Sequence, residues 1–190
     1  MERLSTASDE PLAPDTPEVW TPPAWAVVAA AVLAIATVVH LGLSVNSVLW
    51  AVVQVVLVGV AAYDFVNRRV KNAVTVPVSV AALLLRLAFE RSSFVEVLIA
   101  GLVAFLAFFA LAIFLRGGLG MGDVKLAAML GFLLGEEVLR ALFIGAIAGG
   151  VGALIVLSRS TGKRATMAYG PYLALGGMIS ILFFSPPPLV

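Results

Sequence analysis

The chain has 190 residues, 62% hydrophobic and 12% charged, whereas soluble domains run at roughly 45–50% apolar and about 25% charged. That composition is one for a lipid bilayer. A formal net charge of +1 without a sustained basic run gives nucleic acid no footing, and the lack of cysteine removes disulfides, thiolate catalysis and cysteine-ligated zinc.

With one histidine, His40, any chemistry falls to carboxylates, hydroxyls, lysine, arginine or the backbone. Residues 1–24 are acidic and proline-rich and lack the basic start and apolar stretch of a signal peptide, so they read as a disordered cytoplasmic tail. Residues 25–190 form the membrane-embedded domain.

No Asp, Glu, Lys or Arg occurs from Val19 to Tyr63, long enough for two crossings at about 20 residues each. Helix 1 is placed at 25–43 and helix 2 at 48–63, joined through Ser44-Val45-Asn46-Ser47. Helix 3 follows Asn72 to Leu87, with Arg86 near enough to its end to snorkel towards water and Glu90 at pairing distance along the helix. Helix 4 covers 95–115, and helix 5 starts at Asp123 and reaches only Leu134. Helix 6 fills 138–157, where Gly145 and Gly149 permit close helix packing. Helix 7 spans 168–184 and is stopped by Pro186, Pro187 and Pro188. The fold class is therefore all-α, a polytopic bundle of about seven transmembrane helices. Trp25, Trp50 and Tyr63 fall at helix ends, as an aromatic belt requires.

Orientation follows from the basic residues of short loops. Arg68, Arg69 and Lys71 lie between helices 2 and 3, Arg116 and Lys125 flank the turn before helix 5, and Arg159, Lys163 and Arg164 lie between helices 6 and 7. These loops alternate with poorer ones, which puts them and the N-terminus in the cytoplasm. The acidic residues Glu2, Asp9, Glu10, Asp15 and Glu18 do not reverse this, since acidic side chains weigh little in topology.

Beyond the tail only two aspartates occur, Asp64 at the end of helix 2 and Asp123 at the start of helix 5, and this topology puts both at one face. Each alone is an interfacial or capping residue as readily as a functional one, and Asp123 suits an N-cap. As a pair they can share a proton, one activating water as a base while the other acts as an acid. The helix dipoles favour Asp123 as the base and Asp64 as the acid. Ahead of Asp123, Gly117, Gly118, Gly120 and Gly122 lack the lysine and hydroxyl ending of a phosphate-binding loop, but they give a peptide access to the main chain.

GMGD at 120–123 followed by Val124-Lys125-Leu126 resembles the GxGD signature of the type IV prepilin peptidases, membrane aspartic proteases. Asp64, Arg68, Arg69 and Val70-Lys71-Asn72 are similar to that family's first motif, with Lys71 where proline is usual. Tyr169-Gly170-Pro171 through Gly177 looks like the segment opening its last helix. The resemblance covers about 48–184, a six-helix peptidase core, with helix 1 outside it. It implies catalysis by Asp64 and Asp123, and a substrate-binding or loop role for Gly120, Gly122, Lys125, Gly170 and Pro171. It further implies no metal or cofactor, and no methyltransferase activity, because the paired cysteines of the bifunctional members are absent. The implied substrates are prepilins or pseudopilins with a basic leader and a membrane helix, cleaved at the cytoplasmic face of a prokaryotic plasma membrane for pilus assembly or secretion. Lys125 holds an anionic substrate residue or snorkels, and Tyr169 and Tyr172 line the mouth or belong to the belt. Two other readings stand beside this one: a preflagellin-type GxGD peptidase, and a small transporter or assembly subunit binding cations or protons at the two aspartates.

Overall fold

The computed structural model describes residues 20–115, 119–159, 168–184 and 186–190. The acidic residues from Glu2 to Glu18, and Arg116, Gly117, Gly118, Lys163 and Arg164, lie outside the described residues, as does the side chain of Arg159. Seven α-helices make up the described chain: α1 Ala24–Leu41, α2 Val45–Asn67, α3 Asn72–Phe89, α4 Arg91–Phe114, α5 Met121–Leu134, α6 Val138–Arg159 and α7 Gly170–Phe183. A short 3-10 turn, Gly135–Glu137, joins α5 to α6, and no strand occurs among the described residues. The helices from α1 to α4 and the α5–α6 segment are long and apolar enough to cross a bilayer. The chain is a multi-pass, all-α membrane bundle.

Helix 2 begins three residues earlier than its hydropathy suggests, because Ser44 and Ser47 close a reciprocal cap. The Ser47 N–H donates to Ser44 Oγ at 3.1 Å and the Ser44 N–H to Ser47 Oγ at 2.9 Å. The connection from α1 is consequently a tight turn through Gly42, not a loop over 44–47. At the same end of the bundle, Asn46 Oδ1 accepts the backbone N–H groups of Leu189 and Val190, tying the stretch after the prolines back to α2.

The core centres on α5, whose residues from Val124 to Leu134 are nearly all buried, chiefly by α3, α4, α6 and α7. At 14 residues it is about 21 Å long, short of the ~30 Å hydrocarbon thickness, and its neighbours rather than lipid enclose it. Its lower end is capped by Arg86. This side chain does not snorkel: it is 0% exposed, and its guanidinium donates to Leu133 O at 2.8 Å and Ser93 Oγ at 3.0 Å. An arginine that can satisfy a terminal helix carbonyl inside the protein has no reason to reach for the interface. It keeps an electrostatic attraction to Glu96 and to Glu90, its partner by spacing. Trp50 departs from the belt reading in the same way, being 1% exposed and part of the core, whereas Trp25 is exposed on the apolar surface.

Close helix contacts are set by small residues. A Cβ added to Gly131 would stand 2.5 Å from Gly101 Cα, and one on Gly145 would stand 3.0 Å from Tyr172 O, so α4–α5 and α6–α7 meet backbone to backbone. At Gly150 nothing lies within 4 Å. Gly131→Ala should therefore destabilise the bundle by about 1–3 kcal/mol through overpacking. Gly150→Ala should be neutral or stabilise it by up to about 1 kcal/mol, as an alanine in a helix interior does. Chemical unfolding of the two variants in detergent micelles compares them directly.

Candidate active site

Successive helices run in opposite directions, so one end of the bundle collects the end of α2, the start of α3, the start of α5 and the start of α7. Asp64 and Asp123 meet there. Both are nearly buried, at 4% and 8% exposure, and they interact electrostatically with each other. Their chain positions are 59 residues apart, and only the antiparallel packing brings them together.

Asp64 sits in the last turn of α2. That turn ends in a left-handed cap at Arg68, with φ 52° and ψ 39°, whose N–H donates to Asp64 O at 2.7 Å. A non-glycine residue in this conformation costs roughly 1–2 kcal/mol. The cap turns the chain at once into Arg69, Val70 and Lys71, the N-cap of α3. Lys71 has φ −76°, inside proline's range, so lysine at a position where proline is usual leaves the backbone path unchanged. Its ammonium instead lies over the Tyr63 ring at 4.2 Å.

Asp123 is not the N-cap of α5. Gly120 is, three residues ahead of the expected start, and Asp123 occupies the third helical position with Oδ2 accepting the Gly120 N–H at 3.2 Å. An N-cap with no side chain leaves this back-reaching bond to the carboxylate. Gly122 packs against Val70, where an added Cβ would approach Val70 Cβ to 2.9 Å. The α2–α3 turn and the start of α5 are thus in direct contact.

Gly170, the first residue of α7, closes the site from the third side. Its backbone N–H interacts with both carboxyl groups, and a Cβ there would lie 2.5 Å from Asp64 Oδ2 and 3.3 Å from Asp123 Oδ1. Gln54, buried in α2, donates to Met178 O at 3.1 Å and holds α7 alongside α2 below the site. Asp64 Oδ2 has no hydrogen-bond partner among the described residues. Such a buried acceptor is matched by a donor from a bound water or a substrate group.

The two aspartates open into a cavity of about 300 Å³ lined by Asp64, Arg68, Arg69, Val70, Gly120, Gly122 and Asp123. Carboxylates, cations and glycine backbone converge there, and among the described residues no cluster suited to a metal ion occurs. Lys125 and Pro171 face elsewhere. Lys125 Nζ donates to Asn72 Oδ1 at 2.9 Å, fastening α5 to the start of α3 beside a separate groove. Pro171 lines a larger apolar cavity of about 500 Å³ between α2 and α7, which shares Arg68 with the site.

Tyr169 packs its ring against Phe108 and Gly149, while Tyr172 lines the apolar cavity. The place of Val70 on the cavity wall and the contacts of Tyr63 with Trp20 and Lys71 escaped sequence reasoning. The only local signal for the latter was a tryptophan just ahead of the first apolar run.

Comparison with known proteins adds the following. Residues 51–154 match the family described as the type IV leader peptidase family. The chain is 34% identical over 88 residues to the prepilin leader peptidase/N-methyltransferase of Bacillus subtilis, covering 45% of this chain and 36% of that protein. It is 44% identical over 69 residues to the protein of that name from Escherichia coli, covering 35% and 30%. The corresponding protein of Burkholderia pseudomallei is 40% identical over 76 residues, covering 38% and 25%. The chain thus spans little more than a third, at most, of these relatives. No solved structure matches it.

Burial, and secondarily the negative charge of Asp123, push the Tyr169 phenol above its usual range. Replacing Asp123 by asparagine removes a charge that opposes tyrosinate, so Tyr169 should ionise at lower pH than in the unmodified chain while staying above an exposed tyrosine. Ultraviolet difference titration against a Tyr169→Phe control isolates this group among the three tyrosines.

Proposed function

Since the chain belongs to the type IV leader peptidase family, we propose that it is an aspartic endopeptidase whose two catalytic groups are Asp64 and Asp123. The observation that carries this reading is the convergence of two nearly buried carboxyl groups on one backbone amide, at the rim of a cavity with glycine on its wall. A pair so placed can hold a water between an acid and a base.

Asp123, whose Oδ2 already accepts the Gly120 N–H, acts as the carboxylate that takes a proton from water. The hydroxyl oxygen attacks the scissile carbonyl carbon while Asp64, in its protonated form, gives its proton to the carbonyl oxygen. When the tetrahedral intermediate collapses, the C–N bond breaks, the proton on Asp123 passes to the leaving amine, and Asp64 recovers its own. Gly120 and Gly122 let an extended peptide lie along the cavity wall, and the Gly170 N–H stabilises negative charge between the carboxyl groups.

The relatives' names carry a prepilin leader to this chain as substrate, and the resemblance of the three motifs adds pseudopilins, a basic leader, and a cut where the apolar helix of the substrate enters the membrane. The site end of the bundle holds Arg68, Arg69, Lys71 and Lys125, whereas Glu90, Glu96, Glu136 and Glu137 offset the cations of the other end. That bias supports a cytoplasmic active site in a prokaryotic plasma membrane. In this reading residues 25–190 are the membrane-embedded peptidase domain and 1–24 a cytoplasmic tail. The 190 residues contain no cysteine, and we assign them no methyl transfer.

Co-expression with a prepilin tests the reading. Asp64→Asn and Asp123→Asn should each reduce leader removal by about 10²–10⁴-fold, the worth of a positioned acid or base. Continued processing by either variant sinks the two-aspartate mechanism. Gly170→Ala keeps both carboxyl groups but forces them aside, and displacement on the order of 1 Å should cost about 10²-fold in kcat. Quantitative gel analysis of precursor and mature pilin reads all three variants.

A further inference from the structure

Consecutive helices pack against each other throughout the bundle except at α2 and α3. Helix α2 lies on α1 and α7, and α3 lies on α4 and α5, so the two diverge below the turn that joins them. A groove of about 320 Å³ opens between them, with Val56, Gly59 and Val74 on its walls and Tyr63, Lys71 and Trp20 at its head. Gly59 has no packing task there: unlike Gly131 and Gly145, it would meet nothing within 4 Å if it carried a Cβ. The bundle's own side chains leave this space unfilled.

Depth and charge narrow the occupant. From Tyr63 to Val56 the groove descends about 10 Å at about 1.5 Å per residue, well inside one leaflet of a hydrocarbon layer about 30 Å thick. A transmembrane helix, from a substrate or from a second copy, needs a seam across both leaflets, whereas an acyl chain belongs to one. Water finds no polar partners on such walls. At the head, Lys71 is exposed, its ammonium lies 4.2 Å from the centre of the Tyr63 ring, and among the described residues no carboxylate pairs with it. A ring against one side of an ammonium leaves donors for oxygen on the other. Trp20, edge-on to Tyr63 at 5.2 Å, stands at this level as an interfacial aromatic does. The cation at the head repels a basic leader and attracts the phosphate of an anionic lipid.

We propose that the α2–α3 groove is a binding site for one anionic phospholipid, with an acyl chain lying along Val56 and Gly59 and the phosphate on the Lys71 ammonium. The site requires a membrane and not the peptidase reading, so the two stand or fall separately. Lysine heads the groove at the position where the resembled family usually has proline, which makes the site a property of this chain's own turn. Tyr63 immediately precedes Asp64, so a lipid seated there braces the turn beside the catalytic cavity.

The test is native mass spectrometry of the full chain in detergent, titrated with phosphatidylglycerol or with phosphatidylcholine of the same acyl chains. The unmodified chain should hold its first phosphatidylglycerol about fivefold more tightly than phosphatidylcholine, the worth of one lysine beside an anionic headgroup. Lys71→Gln should abolish that preference and leave phosphatidylcholine binding unchanged. Gly59→Leu, which keeps Lys71 and puts a side chain into the open groove, should lose the tightly held lipid. Gly150→Leu is its control, because that glycine is equally open but lies on α6, away from the groove, and it should change neither lipid. Equal affinity of the unmodified chain for the two lipids overturns the proposal, as does a preference that survives Lys71→Gln. A loss no greater in Gly59→Leu than in Gly150→Leu removes the groove as the site. A groove that ignores phosphatidylglycerol but holds an apolar-helix peptide or a second copy, either released by Gly59→Leu, overturns the lipid assignment too. Because binding is read without cleavage, a failure to process prepilin removes the peptidase reading and leaves this comparison intact.

Discussion

Two carboxyl groups facing each other at the edge of an apolar bundle repel and are poorly solvated, and the arrangement around them answers to that constraint. The answer is backbone. Three helix ends meet at the pair, and each contributes main-chain groups: the Gly120 N–H on Asp123, the Gly170 N–H beside both carboxyl groups, and the left-handed turn at Arg68 that ends α2 one turn beyond Asp64. A side chain at Gly170 would fill the space that the carboxyl groups occupy. The geometry of the pair therefore depends as much on a missing methyl as on the two acids.

The short helix α5 is the element on which this balance rests. It carries an acid near its N-terminus and receives an arginine at its C-terminal carbonyls, so charge of the favourable sign stands at each end of its dipole. Burial on all sides makes the arrangement durable. Arg86 contacts α4 through Ser93 as well as α5 through Leu133, and the turn beyond, at Gly135, adopts φ 58° with Glu96 Oε1 so near that a Cβ would stand 2.6 Å from it. The far end of the bundle thereby fixes the depth and the axial rotation at which Asp123 is presented.

Hydropathy and charge placed all seven helices within a few residues of their observed ends, because a segment's solvent preference is a local property of its composition. The pairing of Asp64 with Asp123 could be anticipated from parity alone, since the helices between them return the chain to the same face. What escaped were interactions between residues far apart in sequence. Sequence alone makes Arg86 a snorkelling side chain, because no pattern announces that Leu133 O waits 47 positions away. Trp50 was assigned to the interface by its place near a helix end, and its burial against neighbouring helices overrode that preference. Asp123 was expected at the N-cap, yet Gly120 starts the helix and moves the carboxylate to its third position, a difference of one local bond. Lys71 looked like a defect in a motif until Tyr63 supplied the ring beneath it.

Helices α5 and α7, which bear Asp123 and Gly170, are the two shortest in the bundle at 14 residues each, while α2 and α4 beside them run to 23 and 24. Enclosed by longer neighbours, α5 never has to match the thickness of lipid itself, so its length is free to be set by the span between Arg86 at one end and Asp123 at the other.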